Sequence, residues 1–454
     1  MSNGAGAFSR PGRLVLAATV LLAAILRLAG STRELWLDEI TEVRFHVRVP
    51  WTEVLTRFDG SANHHVLNAV LAKASVAVLG ETPFALRLPS IACGALGVLA
   101  FGFLARLLFE EGLALAVTLA LAVDPFAIFY AQQSRGYSQH LLLAIGSTLA
   151  LVLLRRGAGR RAEAALAAAT AFDAYAHLTA AGVFAGQLGS LGVPGPGRAR
   201  AARGLLLGAV GAALLYLPML GQLAGSLPEV RGGFGFRLLS EGFFDLLRPH
   251  ATGLLVVAIA GGAGALSLLR RAPAEGAAVL GPVLATVAIP LALGLRVYPR
   301  FLLFLLPAGL IVAAEGVRLL TVRKAALAAP LLAAAALAGA AARLPAFYAH
   351  PFQPFHEALD SARTEDPSRR VIGVGLAGHG LSFHDPSVAV VLTVADAEEA
   401  LAAASGHAFV VTTFPGQLRR ERPELLRWVE RRGSPWRTFR GTVGDGDVTV
   451  WRTP

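Results

Sequence analysis

The sequence is poor in cysteine and in charge. A single cysteine, Cys93, lies inside an apolar block of the 454-residue chain, which excludes an intrachain disulfide and any metal cluster built on cysteine. Only 16% of the residues are charged, and lysine occurs at Lys73 and Lys324 alone. A P-loop, a nucleic-acid motif and an internal repeat are missing, and the one glycine-spaced stretch, "GVGLAG" (373–378), is weak evidence for a nucleotide site because glycines at a strand end usually just make a turn. The formal charge of +11 therefore carries no nucleic-acid reading. Its basic residues cluster in short loops between apolar blocks, where they report topology and contact with anionic headgroups.

What is present is long apolar blocks: 55% of the residues are hydrophobic and the mean hydropathy is +0.58. That is the profile of a polytopic α-helical membrane protein. Apolar spans are expected near 13–30, 85–108, 112–130, 138–154, 162–176, 178–194, 204–222, 251–269, 276–294, 301–320 and 325–342, eleven crossings in all. Arg10 and Arg13 precede the run Leu14 to Leu26 as in a signal peptide, but Arg27 follows closely and many membrane segments come later, so the first helix reads as uncleaved. The basic loops "RRGAGRR" (155–161), "GRARAAR" (197–203) and "VRKA" (322–325) are assigned to the cytoplasm.

The stretch "HHVLNAVLAKASVAVLG" (64–80) is short for a span and carries Lys73 at its middle, so it reads as an amphipathic helix on the outer membrane surface. The N-terminus is then inside. Residues 31–84, 131–137, the turn near His177, 223–250, 295–300 and everything after 342 are outside. Segments 162–176 and 178–194 are both short, and are read as two spans because one would put "GRARAAR" on the wrong side. After residue 345 short β-branched runs, "RRVIGVGLAG", "SVAVVLTVA", "HAFVVTTF" and "DVTVWRT", alternate with helix-like stretches at 354–363, 396–404 and 417–432. The expected organisation is a transmembrane domain over 1–344, with surface helices in its first outer loop, and a small extracytoplasmic α/β domain over 345–454.

The outer loops are rich in functional side chains. "ELWLDEITEV" (34–43) sets Asp38 and Glu39 side by side just after the first apolar helix, and "DGSANHHVLN" (59–68) follows. "DPFAIFYAQQSRGYSQH" (124–140), "DAYAH" (173–177), "RGGFGFR" (231–237), "RPH" (248–250) and "RVYPR" (296–300) add carboxylates, imidazoles and arginines on the same side. Ordinary interfacial polarity accounts for Arg33, Arg44 and Arg48 taken singly. It accounts less well for Asp38 and Glu39, because a carboxylate re-entering a cavity costs free energy unless it is paired or used. A carboxylate beside an acceptor hydroxyl or amine can take its proton as that atom attacks a sugar, and arginine forks can hold a departing phosphate.

These residues resemble the GT-C membrane glycosyltransferases, in the branch of protein O-mannosyltransferases and lipid A aminoarabinose transferases. The likeness is carried in order over about residues 13–320 by "LWLDEITEV", "NHHVLNAVL" with "GETPFALRLPSIACG", "DPFAIFYAQQSRGYSQHLL", "YAHLT" and "YPRFLLFLLPAGLIV". It implies a polyprenyl-phosphate-linked sugar as donor, inverting transfer on the extracytoplasmic face, and Asp38 as catalytic base with Glu39 beside it. It further implies that Asn63, His64 and Asn68 line the cavity and that Arg135, His177 and Arg300 contact the donor phosphate; His65, Arg87, Gln133, Tyr137 and Tyr298 complete the expected donor- and acceptor-binding set.

One departure matters. Relatives usually carry a glutamate where this chain has Gln133, so any role for a second carboxylate moves to Asp124 or Asp173 or is absent. Asp124, before Pro125, equally reads as a helix cap. No cofactor and no metal is expected, a divalent ion being the less favoured alternative, since two adjacent histidines do not make a zinc site. The rival readings are a secondary transporter, disfavoured because no paired half-repeats are seen, and an inactive scaffold of the same fold. The acceptor stays open among protein, lipid and glycan. The arginine-rich, alanine-rich composition points to the inner membrane of a bacterium.

Overall fold

The computed structural model describes residues 7–58, 64–230, 254–294, 299–321 and 326–454. Asn63, Tyr298 and the outer stretches 231–237 and 248–250 lie outside the described residues. The chain divides into two compact units: Met1–Ser31 with His46–Ala342, and Thr32–Phe45 with Arg343–Pro454.

The first unit is helical. Its first helix, Arg10–Leu28, starts where the Ser9 hydroxyl accepts the Gly12 N–H at 3.0 Å and Pro11 occupies the first turn. Among the described residues, seven helices are long and apolar enough to cross a membrane, or eight if the bent pair Glu111–Val123 and Pro125–Ala131 is one span. The count falls short of the eleven expected partly because two expected spans form short helices. Arg160–Ala176 has 17 residues and Ala180–Ser190 has 11. At 1.5 Å per residue these reach only about 26 and 17 Å, against a hydrocarbon core of about 30 Å.

The 53° bend at Asp124 has a local cause. Pro125 has no N–H to continue the preceding helix, and the Asp124 carboxylate accepts the Ala127 N–H at 2.8 Å, starting a new one. The carbonyls exposed by the break are met by a buried cation: Arg27 donates to Ala122 O at 2.9 Å and to Leu121 O at 3.4 Å. Gln132 in turn donates to the Leu26 and Ala29 carbonyls at the end of the first helix.

Ala180–Ser190 packs on Pro273–Leu293 at Gly186 and Gly281, where a Cβ on either residue would overlap the other's backbone. Val66–Leu79 has 14 residues and is likewise too short to span. Its Lys73 ammonium donates to the carbonyls of Val47 and Val49 at 2.8 and 2.7 Å and lies 5.2 Å from the Trp51 ring, so the chain folds back over it.

The second unit is built on a five-stranded sheet of order β2-β1-β3-β5-β4, with β1 Arg370–Val374, β2 Ala389–Val391, β3 Ala408–Thr413, β4 Ser434–Phe439 and β5 Val448–Arg452. Strands β2, β1 and β3 are parallel and β5 and β4 antiparallel. The four β-branched runs of the sequence all become strands. β4 shows no such run: it is an edge strand, mostly exposed and broken by a register shift at Pro435, and so lacks an apolar alternation. The expected helix at 417–432 is two, Pro415–Glu421 and Pro423–Arg432, because Pro423 cannot continue the first.

Two predictions follow from this packing. In the first unit Glu315 is fully buried and its carboxylate is shared by Arg271, at 2.9 Å, Arg318, at 2.7 Å, and the Ser267 hydroxyl, at 2.6 Å. Glu315→Gln removes the charge both arginines share and should cost about 2–4 kcal/mol, read as a lower unfolding midpoint in detergent. In the second unit burial pushes the Glu34 carboxyl up to about 7 from an ordinary 4.5, against the opposing His356 N–H and with added repulsion from Glu357 and Asp360. The folded state then holds a proton that the unfolded chain releases, so stability present below pH 4.5 is lost as pH rises through about 7. Hydrogen exchange of residues 32–45 and 355–365 should speed up over that window by an amount worth on the order of 2 kcal/mol, and Glu34→Gln should flatten the dependence.

Candidate functional site

Asp38 and Glu39 occupy the first turn of the six-residue helix Leu37–Glu42 in the second unit. Their two carboxylates have different surroundings. Glu39 is fully buried and turns back to accept the Trp36 N–H at 3.4 Å at its own helix start. Asp38 is partly exposed. The helix is anchored within that unit by buried Gln353, which accepts the Leu37 N–H at 3.0 Å and donates to the Thr413 hydroxyl of β3 at 3.1 Å. It also packs on Leu376–His384, where Arg44 donates to the Ser382 hydroxyl at 3.1 Å and lies 5.6 Å from the Phe383 ring. At the carboxyl ends of β1 and β3 the unit holds a cavity of about 270 Å³. Gly375 (φ 56°) and Phe414 (φ 50°) line it, the latter in a left-handed conformation that only surrounding structure can hold for a bulky residue.

The remaining described candidates lie in the first unit. Asn68 is fully buried at the centre of a polar knot: its Oδ1 accepts from Gln139 at 2.9 Å and lies 3.3 Å from the Ser90 oxygen, and its amide nitrogen donates to the Ser134 hydroxyl at 3.4 Å. Ser90 also lies 3.1 Å from the Arg135 carbonyl, so the knot fixes the turn that carries Gln133 and Arg135. Arg87, fully buried, donates to the Ser31 carbonyl at 3.1 Å. His64 stacks on His46 with centroids 3.9 Å apart and planes 7° from parallel.

Around that turn four expected residues form one aromatic and cationic cluster. His65 lies 5.1 Å from the Tyr137 ring and 5.0 Å from His177, while Arg135 sits 5.8 Å from the Tyr137 ring. Arg300 joins them through its electrostatic interaction with His177, which Arg135 shares. Several polar atoms here are buried and have no hydrogen-bond partner among the described residues: both amide atoms of Gln133, the Tyr137 hydroxyl, and Nε2 of His65 and of His177. Unsatisfied buried groups at this density are costly in a structural role and ordinary in a binding site.

Three residues outside the expected set complete the cluster. Asp173 Oδ1 lies 2.6 Å from His140 Nδ1, both side chains being buried. His140 Nε2 is 3.1 Å from the Thr179 hydroxyl, which is 2.6 Å from His177 Nδ1. The sequence shows Asp173 and His140 as polar residues near helix ends, but their pairing needs the fold to bring residues 33 positions apart together. Among the described residues no group of three or more His, Cys, Asp or Glu side chains is arranged to hold a metal ion.

No family model and no curated protein matches the sequence. Solved structures do match in fold. ArnT from Cupriavidus metallidurans bound to undecaprenyl phosphate is 15% identical, with 98% of each chain covered and a TM-score of 0.59. The oligosaccharyltransferase of Archaeoglobus fulgidus in complex with zinc and sulfate is 13% identical over 95% of this chain and 72% of its own, with a TM-score of 0.57. AglB from Archaeoglobus fulgidus, in complex with an inhibitory peptide and a dolichol-phosphate, is 12% identical over 90% and 70%, with a TM-score of 0.58. The fold is therefore the GT-C architecture, in a multi-pass membrane protein that carries a small C-terminal sheet domain.

Proposed function

We propose that the protein is an inverting glycosyltransferase that moves a hexosyl or pentosyl group from a polyprenyl-phosphate carrier to an acceptor outside the cytoplasm. The observation that carries this reading is the gathering of Arg135, Arg300 and His177 with the unpartnered Tyr137 and Gln133 groups in one buried cluster of the membrane unit. The fold it sits in is shared with a structure that binds undecaprenyl phosphate. Two guanidinium groups are suited to a phosphate that gains charge as the sugar leaves, and the amide and phenol are suited to sugar hydroxyls.

In this reading Asp38 is the general base. It is the partly exposed member of the Asp-Glu pair, whereas Glu39 is fully buried and accepts the Trp36 N–H of its own helix start. The acceptor oxygen or nitrogen attacks the anomeric carbon, the bond from that carbon to the phosphate oxygen breaks with its electron pair on the phosphate, and the acceptor proton passes to Asp38. One displacement inverts the configuration and needs no second carboxylate. His64, His65 and Asn68 shape the pocket, Asn68 by holding the Gln133–Arg135 turn. The basic loops at 155–161 and 197–203 support a cytoplasmic N-terminus and an extracytoplasmic site in the inner membrane of a bacterium. The cavity in the second unit is a candidate contact for the acceptor.

The test is release of sugar by the protein reconstituted in lipid with a panel of radiolabelled polyprenyl-phosphate sugars. Asp38→Asn should lower transfer by about 10²- to 10⁴-fold, with EDTA leaving the wild-type rate in place. Equal rates for the variant and the wild type would remove Asp38 as base, and no release from any donor would favour the scaffold.

A further inference from the structure

The chain of contacts from Asp173 to His177 has a direction that its geometry decides. The backbone N–H of Thr179 points at His177 Nδ1 at 3.2 Å, so Nδ1 is an acceptor and carries no proton. The Thr179 hydroxyl lies 2.6 Å from the same nitrogen, where two lone pairs facing each other would repel, so it too donates its proton to His177. A hydroxyl has one proton to give. The 3.1 Å contact of Thr179 Oγ1 with His140 Nε2 must then be an N–H donated by His140. With Nε2 protonated, the 2.6 Å contact between His140 Nδ1 and Asp173 holds one shared proton, and the pair is neutral as a whole. That is the state a fully buried pair prefers, since a net charge there would be expensive to desolvate.

The consequence falls at the far end of the chain. With Nδ1 an acceptor, the neutral His177 ring carries its proton on Nε2, and this N–H is buried with no partner among the described residues. It belongs to the cluster that holds Tyr137 and His65 and interacts electrostatically with Arg135 and Arg300. We infer that Asp173, His140 and Thr179 form a positioning chain that locks His177 in its Nε2–H tautomer and presents that N–H to a phosphate oxygen of the lipid-linked donor.

The inference rests on the proposed function for the identity of the ligand and on the hydrogen bonds alone for the tautomer. His177 is the group that touches the phosphate; Asp173, His140 and Thr179 act through it. The chain does not shuttle protons, because the Thr179 backbone N–H keeps Nδ1 from accepting one covalently. His177 is therefore a fixed donor that needs no reorganisation when charge grows on the phosphate.

The full-length protein in lipid nanodiscs provides two readouts. Nitrogen NMR of the ¹⁵N-histidine-labelled chain, with His177→Gln and His140→Gln used for assignment, should show both rings neutral or shared as deduced: Nε2 protonated in each, and Nδ1 of His177 bare. A bare Nε2 on either ring overturns the chain whatever the ligand. Binding of undecaprenyl phosphate, with inorganic phosphate as competitor to separate headgroup from tail, is the second readout. Thr179→Val, close to isosteric, and His177→Leu should each weaken binding by about tenfold or more, and raise the donor KM more than they lower kcat. Thr179→Ser and His177→Gln, whose side-chain amide can replace the Nε2–H, should recover most of the loss and keep a wild-type unfolding midpoint. Wild-type binding matched by Thr179→Val would overturn the inference alone, whereas no binding by the wild type would overturn the proposed function with it.

Discussion

Helix ends inside an apolar protein are the constraint on which this structure depends. The last carbonyls of a helix have no intrahelical donor, and within a bilayer water cannot supply one. The described chain answers them repeatedly with long polar side chains. Arg27 meets the carbonyls at Leu121 and Ala122, Gln132 those at Leu26 and Ala29, and Lys73 those at Val47 and Val49. Each such contact ties a break in one helix to the body of another. The bend at Asp124 and the turn over Val66–Leu79 are stable for that reason, and these bends deliver polar residues to the protein interior.

The turn after Pro125–Ala131 shows how structure and chemistry divide between neighbouring residues. Gln132 and Gln133 are adjacent and both fully buried. Gln132 is engaged in closing the first helix, while the amide of Gln133 has no hydrogen-bond partner among the described residues. The Asn68, Ser90 and Gln139 knot makes this separation possible, because it holds the turn at the Ser134 hydroxyl and the Arg135 carbonyl and leaves the Gln133 amide out. A hydrogen-bonded scaffold thus supports the neighbouring cluster of Gln133, Tyr137, His65 and His177.

The same division resolves the pair of carboxylates that the sequence sets together. Glu39 serves its own helix, and that helix is fastened within the second unit by Gln353 to strand β3. Asp38, one residue earlier, is partly exposed. Adjacent residues of one chemistry receive different environments because successive side chains on a helix point about 100° apart.

Hydropathy and residue type act locally, so the helical membrane class, the C-terminal α/β unit and its four β-branched strands are legible in the residues before any fold. The sequence also located most of the polar cluster, since histidines, arginines and tyrosines at the ends of apolar blocks are visible without a fold. Other features come from long-range packing. The edge strand Ser434–Phe439 depends on which surfaces find a partner. The assignment of Thr32–Phe45 to the second unit and the pairing of Asp173 with His140 join residues far apart in the chain. Such pairings are set by packing and by the need to satisfy each buried polar atom, and neither leaves a periodic trace in the sequence.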